Sequence, residues 1–225
     1  HKQADAINIL KKNGSIYRSN YDHETGKFTK PELVEPKEFL AIAGLHTFYL
    51  SKLRKIIDFK IYLETDEILR THWKILRDTT KRGYTNEKII EQLKNRDNDS
   101  KKYIYPQKDF ADLVINFFPI ESFSPGKKDT NINIGLKINI NASIYLENLV
   151  ESLKSNSISW DYNDDLNFQY IILKEPPLNN FKNLALNTIE NLSEIADVNV
   201  KWAKGYDGFI YYLCLKIISE KLKED

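Results

Sequence analysis

The sequence contains no methionine and a single cysteine among its 225 residues. One cysteine excludes a disulfide within the chain, and Cys214 lies in an apolar run with no neighbour that would stabilise a thiolate. We therefore predict a buried structural thiol and a reducing, cytoplasmic location. Because the chain begins at His1 and lacks methionine, we expect the start of the natural gene product to lie outside it.

Neither sign of charge dominates the composition. The chain has 33 basic and 32 acidic side chains and a formal net charge of +1. This balance argues against a nucleic-acid partner, which would favour a basic protein with aromatic residues interleaved among the basic ones. No apolar run approaches the ~20 residues that span a bilayer, so no membrane partner is expected either. An apolar fraction of 41% still supports a folded core.

Several motifs of catalysis and cofactor binding are also missing. No Gly-x-x-x-x-Gly-Lys-Ser/Thr motif occurs, because Gly26-Lys27 and Gly126-Lys127 lack both the upstream glycine and the following hydroxyl residue. These residues alone therefore offer no cradle for a nucleoside triphosphate. The histidines show no metal-ligand spacing and no cysteine joins them, so no metal site is predicted. A Gly-x-Ser-x-Gly nucleophile motif is absent too.

Three continuous apolar runs, at 39–43, 59–63 and 112–118, indicate strands. Runs without alternation are typical of strands buried on both faces of a parallel sheet. Helical patterns lie between the second and third runs. We therefore predict an α/β fold in which the three runs are mutually parallel strands of one sheet flanked by helices.

The pattern changes after a turn-rich segment at 122–129. Residues 132–140 alternate strictly between apolar and other residues, which is typical of a half-buried strand in a sheet with one solvated face. Later segments mix strand and helix patterns. We therefore predict two domains, 1–121 and 122–225, of which the second is a smaller α+β region.

The helix predicted after Thr65 carries a basic stripe. It is expected to be capped by Thr65 or Asp66 and to end at Gly83. Four basic residues recur at intervals of four, three and four, which places them on one helical face. They are Arg70, Lys74, Arg77 and Lys81. Asp78 offsets part of this charge by pairing with Arg82 at the i, i+4 spacing.

Two interpretations of this stripe stay open from the residues alone. A solvated charged face is one of them. The other is a phosphate clamp, because guanidinium groups match the geometry of phosphate oxygens.

Five segments in this order resemble the phosphoribulokinase/uridine kinase family. They are residues 19–27, 42–46, 59–66, 73–84 and 105–115. The Arg-Asp-x-x-x-Arg-Gly core at 77–83 is the most specific element, and the Pro-x-x-x-Phe-Ala-Asp stretch at 106–112 supports it. The phosphoribulokinase side of the family matches better, and the resemblance covers roughly residues 1 to 120.

The resemblance implies a kinase. Members of the family are P-loop kinases that transfer the γ-phosphoryl of ATP, with Mg²⁺, to a hydroxyl of a sugar phosphate or nucleoside. It further implies that the lid helix and its end, with Lys74, Arg77 and Arg82, bind the nucleotide phosphates and neutralise the transferring group. The fold expected is that of a P-loop kinase, incomplete in this chain.

The same resemblance assigns an acceptor site. Tyr21 and His23 match the loop that contacts the phosphoryl acceptor, and His46 follows a strand that borders the site. The P-loop and the catalytic base are expected upstream of His1. Ala43 is a departure, because many members carry there a glutamate that helps to hold the metal.

The sequence is therefore compatible with two functions. The first is phosphoryl transfer from ATP to a small sugar-like, sugar-phosphate or nucleoside acceptor, which the intact set of Arg77, Asp78 and Arg82 favours. The second is a non-catalytic kinase-like module for binding or assembly, which Ala43 favours because a methyl group cannot bind Mg²⁺. The oligomeric state stays open, a homo-oligomer included.

Overall fold

The structure is a computed structural model that describes residues 2–22, 25–127, 131–153 and 158–224. The chain divides into two compact units. Unit 1 consists of His1–Lys60 and Asp99–Phe110, and unit 2 of Ile61–Asn98 and Ala111–Asp225.

Unit 1 consists of short elements. They are α1 (Lys2–Lys11), β1 (Ile16–Arg18), β2 (Tyr21–Asp22), β3 (Lys27–Phe28), β4 (Glu32–Val34), α2 (Ser51–Arg54), a π-helical turn (Ser100–Ile104) and a 3-10 helix (Tyr105–Phe110). Strand β1 pairs with β4 and β2 with β3, both antiparallel. Two-stranded pairs are marginal by themselves, so helix packing must supply much of the stability of this unit.

The core of unit 1 forms where α1 meets α2. Ala4 and Ile7, one helical turn apart, pack with Leu53, and Ile42 lies against this cluster. The strand predicted at 39–43 is wrong, because this segment is irregular and mostly exposed. Among the described strands none pairs with it, and Ile42 reaches an apolar environment without a sheet. A short apolar run therefore predicted neither a strand nor burial of the whole segment here.

Unit 2 contains a sheet with helices around it. Its elements are β5 (Ile61–Thr65), α3 (Glu67–Arg82), α4 (Asn86–Asp99, whose last residue belongs to unit 1), β6 (Leu113–Pro119), β7 (Ile134–Asn141), α5 (Glu147–Ser152), β8 (Ile158–Tyr162), β9 (Phe168–Leu173), α6 (Phe181–Thr188), α7 (Leu192–Ile195) and α8 (Gly205–Glu224). The strand order is β5-β6-β7-β9-β8.

This sheet is mixed, with one parallel pair. Strands β5 and β6, predicted from the runs at 59–63 and 112–118, are parallel neighbours, and the α/β class is confirmed. The other pairs are antiparallel, which the predicted parallel sheet of three runs did not include: β7 pairs with β6, β9 with β7 and β8 with β9. The described part of the β6–β7 connection contains no helix, and an antiparallel neighbour needs none.

Strand β7 continues the sheet across the predicted domain boundary. Leu136, Ile138 and Ile140 are buried, whereas Lys137 and Asn139 between them are half-buried. The alternation predicted for this segment is therefore correct. A separate domain from residue 122 is not observed, because β7 pairs with β6 along its length. Alternation reports one packed face, but it does not say which sheet the strand joins.

The turn-rich segment at 122–127 is anchored rather than a linker. The Gly126 backbone N–H donates a 3.0 Å hydrogen bond to Nδ1 of His72, which is buried in α3. The rings of His72 and Phe123 meet edge to face with centroids 5.2 Å apart. The segment thus packs on α3 within unit 2.

Helix α8 contributes a large apolar surface to unit 2. Phe209 and Tyr212 of α8 are buried, with ring centroids 6.0 and 6.2 Å from that of Phe181 in α6. Cys214 on the same helix is half-buried rather than fully buried as predicted, and the partial burial raises the pKa of its thiol to about 11. Among the described residues no helix is long and apolar enough to cross a membrane.

Gly83 ends α3 in the left-handed conformation, with φ of 65°. A Cβ atom at this position would have nothing within 4 Å, so only backbone strain opposes a side chain. We expect Gly83→Ala to lower the free energy of unfolding by about 1 kcal/mol. Gly83→Asn should cost less, because asparagine tolerates this conformation better. Urea unfolding of both variants is the measurement, and equal losses would contradict the explanation.

Candidate phosphate-binding site

Helix α3 positions the candidate phosphate-binding residues. Asp66 caps its first turn, since the Asp66 carboxylate accepts hydrogen bonds of 2.9 and 3.2 Å from the backbone N–H groups of Ile68 and Leu69. Its buried residues recur at intervals of three and define the packed face. They are Leu69, His72, Ile75 and Asp78. The predicted helix, its cap and its end are therefore correct, and Asp78 lies on the packed face.

Three cations converge on the buried Asp78 carboxylate. The Lys74 ammonium lies 3.0 Å from Oδ2, and the Arg77 Nε lies 2.7 Å from Oδ1. The Arg82 Nη1 lies 3.4 Å from the same Oδ1. We call these four residues the Asp78 cluster. A carboxylate accepts several hydrogen bonds at once, so one buried acid can organise cations from two turns of helix.

The electrostatics of the Asp78 cluster favour the ionised carboxylate of Asp78 and the charged guanidinium of Arg77. The hydrogen bond from Arg77 holds the pKa of Asp78 well below its usual 3.8, against the opposing effect of burial and with help from Lys74. The same hydrogen bond raises the pKa of Arg77. Three positive charges against one negative charge leave an excess of two positive charges. An anion is therefore favoured beside the cluster.

The two arginines reach solvent, whereas the lysine does not. The side chains of Arg77 and Arg82 are 53% and 55% exposed, against 14% for Lys74 and 0% for Asp78. A guanidinium carries five N–H donors, more than its contact with one carboxylate oxygen uses. The buried acid thus orients two exposed guanidinium groups that have donors to spare for phosphate oxygens.

The predicted stripe divides into two parts with different partners. Arg70 pairs with Glu67 one turn earlier at 2.7 Å, and Lys81 is exposed. Those two residues fit the interpretation of a solvated charged face. Lys74 and Arg77, together with Arg82, belong to the Asp78 cluster and fit the phosphate interpretation.

The residues predicted to contact the acceptor lie in unit 1 or outside the described residues. Tyr21 is on β2, 49% exposed, and its ring meets that of Phe28 edge to face at 5.4 Å. His46 is exposed in the turn after Gly44. His23 lies outside the described residues. The structure thus brings together the three phosphate candidates of unit 2 and places Tyr21 and His46 on separate segments of unit 1.

The described residues do not fit a Mg²⁺ site. No group of three or more His, Cys, Asp and Glu side chains suited to a metal occurs among them. Ala43 offers no oxygen ligand, and both carboxylate oxygens of Asp78 already bind cations. Mg²⁺ needs several oxygen ligands in an octahedral arrangement, and the described residues do not supply them, so no step of the chemistry is assigned to the metal here.

Sequence reasoning underestimated two residues. Asp78 was expected to pair with Arg82 alone, although its spacing from Leu69 and His72 already placed it on the packed face. Gln107 lies within the segment 105–115 and received no role from the sequence, but it is buried with three hydrogen bonds. No periodic signal marks such a glutamine, because two of its three partners are backbone groups distant in the chain.

Comparisons with known proteins identify the family of this chain. The model of the phosphoribulokinase/uridine kinase family matches residues 3–124, more than half of the chain. The phosphoribulokinase of Synechocystis is 42% identical over 115 residues, which cover 51% of this chain and 35% of that protein. The chloroplastic phosphoribulokinase of Spinacia oleracea is 37% identical over 117 residues, covering 52% of this chain and 29% of that protein.

A uridine kinase and a solved structure extend the comparison. The uridine kinase of Listeria welshimeri is 33% identical over 116 residues, covering 48% of this chain and 53% of that protein. The solved phosphoribulokinase from Rhodobacter spheroides superposes with a TM-score of 0.55 at 14% identity, covering 99% of this chain and 73% of that one, and shares the fold.

The chain matches only about a third of the length of the phosphoribulokinases. The family model, at residues 3–124, includes the Arg-Asp-x-x-x-Arg-Gly core with its buried acid. The chain belongs to the phosphoribulokinase/uridine kinase family.

Proposed function

We propose that this chain acts within an ATP-dependent kinase of the phosphoribulokinase/uridine kinase type. The acceptor is a hydroxyl of a small sugar phosphate, sugar-like compound or nucleoside. The observation that carries the proposal is the Asp78 cluster, in which a buried carboxylate orients two exposed guanidinium groups. The relatives include a phosphoribulokinase and a uridine kinase, which supports both acceptor classes.

Phosphoryl transfer requires little covalent chemistry from the protein, which mainly positions the reactants and stabilises charge. The acceptor oxygen attacks the γ-phosphorus, the bond from that phosphorus to the β–γ bridging oxygen breaks, and ADP leaves with the electron pair. The hydroxyl proton passes to a general base, which we do not assign within this chain. Arg77 and Arg82 would stabilise negative charge on the transferring group and on ADP, because their guanidinium groups are already oriented.

Lys74 has a different role in this proposal. It is only 14% exposed and lies 3.0 Å from Asp78, with Gln92 Oε1 3.4 Å from its ammonium. Its charge therefore acts on phosphate through the local field and through Asp78, rather than mainly by direct contact. For the acceptor we propose Tyr21, His23 and His46 as contact residues, on the basis of the family resemblance.

The nucleotide cradle must come from residues other than these 225, since the sequence has no Walker A motif. The test therefore uses the full gene product with ATP labelled at the γ-phosphate. A pentose 5-phosphate and uridine serve as the two acceptors. Label in one phosphorylated product, and its loss in Arg77→Ala, is the expected result. ATP binding without transfer to either acceptor would contradict catalysis on these acceptor classes.

Ala43 supports the second candidate, a kinase-like module that binds but does not catalyse. The Ala43 side chain has no metal-ligating atom at the position where the resemblance expects one. The substitution Ala43→Glu separates the two candidates in the same assay. A kinase should transfer phosphate both with alanine in place and in Ala43→Glu, whereas a binding module should show no transfer with alanine and transfer at most after Ala43→Glu supplies a carboxylate.

A further inference from the structure

Gln107 ties together two segments of unit 1. It lies in the 3-10 helix Tyr105–Phe110 and is 3% exposed. Its amide oxygen accepts a 3.1 Å hydrogen bond from the Phe48 backbone N–H. Its amide nitrogen donates to the carbonyl oxygens of Leu45 and Tyr103, both at 2.8 Å. One buried side chain thus satisfies three backbone groups that belong to two different segments.

The hydrogen bonds of Gln107 flank His46. One is to the residue before it, Leu45, and another is to Phe48, two residues after it, so the amide holds the turn on both sides of the histidine. The third hydrogen bond holds the backbone of Tyr103. The orientation of this turn relative to Tyr103 is therefore set by a single side chain.

The His46 ring lies against Tyr103, which Gln107 holds, and against Tyr49, the residue after Phe48. Its centroid is 6.2 Å from the Tyr49 ring and 6.5 Å from the Tyr103 ring, both in edge-to-face geometry. The two tyrosine rings also meet each other, 5.5 Å apart. Because His46 is exposed, burial does not restrain its imidazole. The contacts with the two tyrosine rings restrain the imidazole instead. These contacts persist only while residues 45–48 and Tyr103 keep their relative positions.

Only a carboxamide suits this position. The site requires one acceptor and two donors at the end of a side chain, and glutamine supplies them without a charge. A carboxylate would face two carbonyl oxygens, and an aliphatic side chain would leave one buried N–H and two partly buried carbonyl groups without this partner.

We propose that Gln107 is a positioning residue, which orients the His46 imidazole through the turn that it holds. The positioning of His46 by Gln107 follows from the geometry alone. An effect of Gln107 on the reaction rests on the proposed function, in which His46 contacts the acceptor.

The experiment compares two buried glutamines. Gln169 in unit 2 is 1% exposed and also makes three hydrogen bonds, with Trp160, Asn141 and Ile144. Gln107→Met and Gln169→Met therefore remove the same kind of group. Histidine Cε1–H signals are recorded by two-dimensional NMR of the full chain, and the His46 signal is assigned from His46→Gln. Urea unfolding is measured in parallel.

We expect the His46 signal to move in Gln107→Met, as the ring-current shift from the two tyrosines is lost, and to stay in place in Gln169→Met. Both variants should unfold at lower urea concentrations. An unmoved His46 signal in folded Gln107→Met would overturn the proposal. Complete unfolding of Gln107→Met but not of Gln169→Met would make Gln107 a structural residue and would overturn it as well.

The kinetic consequence is measured separately, in the full gene product. A displaced His46 should lower kcat/KM for the acceptor by up to about 100-fold and leave the KM for ATP unchanged. Gln169→Met is again the control. A moved NMR signal with unchanged kinetics would contradict the assignment of His46 to the acceptor, while the positioning role of Gln107 would stand. No transfer by the unmodified protein would contradict the proposed function alone.

Discussion

Replacing Asp78 by asparagine is expected to lower the free energy of unfolding by about 3 kcal/mol, because it removes the buried partner of a charged cluster. The three cations would keep their positive charges without the carboxylate that now lies within 3.4 Å of each of them. The destabilisation should be largest at Lys74, because its side chain is only 14% exposed and its ammonium cannot become fully hydrated. Urea unfolding at neutral pH measures the loss.

The matched control for this substitution is Glu67→Gln on the same helix. Glu67 pairs with Arg70, and their side chains are 61% and 39% exposed. A surface pair of this kind contributes about 0.5 kcal/mol at most. Equal losses in the two variants would mean that the burial of Asp78 adds nothing to its interactions.

The stability that Asp78 contributes should depend on pH in a defined direction. Its pKa is lowered on folding, so the folded state favours the ionised form over the protonated one. The contribution is therefore complete above the unfolded pKa, near 3.8, and is lost as the pH falls below that value. The difference between the unmodified chain and Asp78→Asn should be constant from pH 5 to 7 and shrink below about pH 4. A difference that grows on acidification would contradict this.

Arg77→Ala should affect phosphate chemistry far more than stability. Arg77 is 53% exposed, and its partner Asp78 keeps Lys74 and Arg82. We therefore expect a loss of only about 0.5 kcal/mol in unfolding free energy. Removing one preorganised charge from a site that stabilises a transferring group costs about 3 kcal/mol, or a factor on the order of 100 in rate. Phosphoryl transfer by the full gene product is the measurement.

The chain itself allows a simpler form of this test. Tripolyphosphate carries the charges of the nucleotide phosphates without the base, and its binding is measured by calorimetry. Arg77→Ala should weaken binding about tenfold, since a hydrogen bond to a charged group contributes ~1.5 kcal/mol or more. Arg70→Ala is the control, because Arg70 lies on the same helix and pairs with Glu67. Equal weakening in both variants would indicate a nonspecific charge effect.

Helix α3 was the most predictable part of the structure. Asp66 as its cap and Gly83 as its end follow from local rules, because a helix cap and a left-handed residue depend on neighbours within a few positions. The strands at 61–65 and 113–119 were predictable from their apolar runs. Burial on both faces was wrong for the first of them, because β5 is an edge strand on which Leu63 is 73% exposed. The segment at 39–43 failed the same rule, because Ile42 is half-buried against a helical cluster without a pairing strand.

The sequence by itself determined the family, through the Arg-Asp-x-x-x-Arg-Gly core, and the positions of the cations on one helix. Only the tertiary structure decided which of those cations share a partner. Lys74, Arg77 and Arg82 meet at Asp78 because packing removes that carboxylate from water, whereas Arg70 stays with a solvated glutamate. The direction of β7 and the hydrogen bonds of Gln107 were likewise decided at this level. Both join residues that are distant in the chain, and spacing along the sequence carries no record of such contacts.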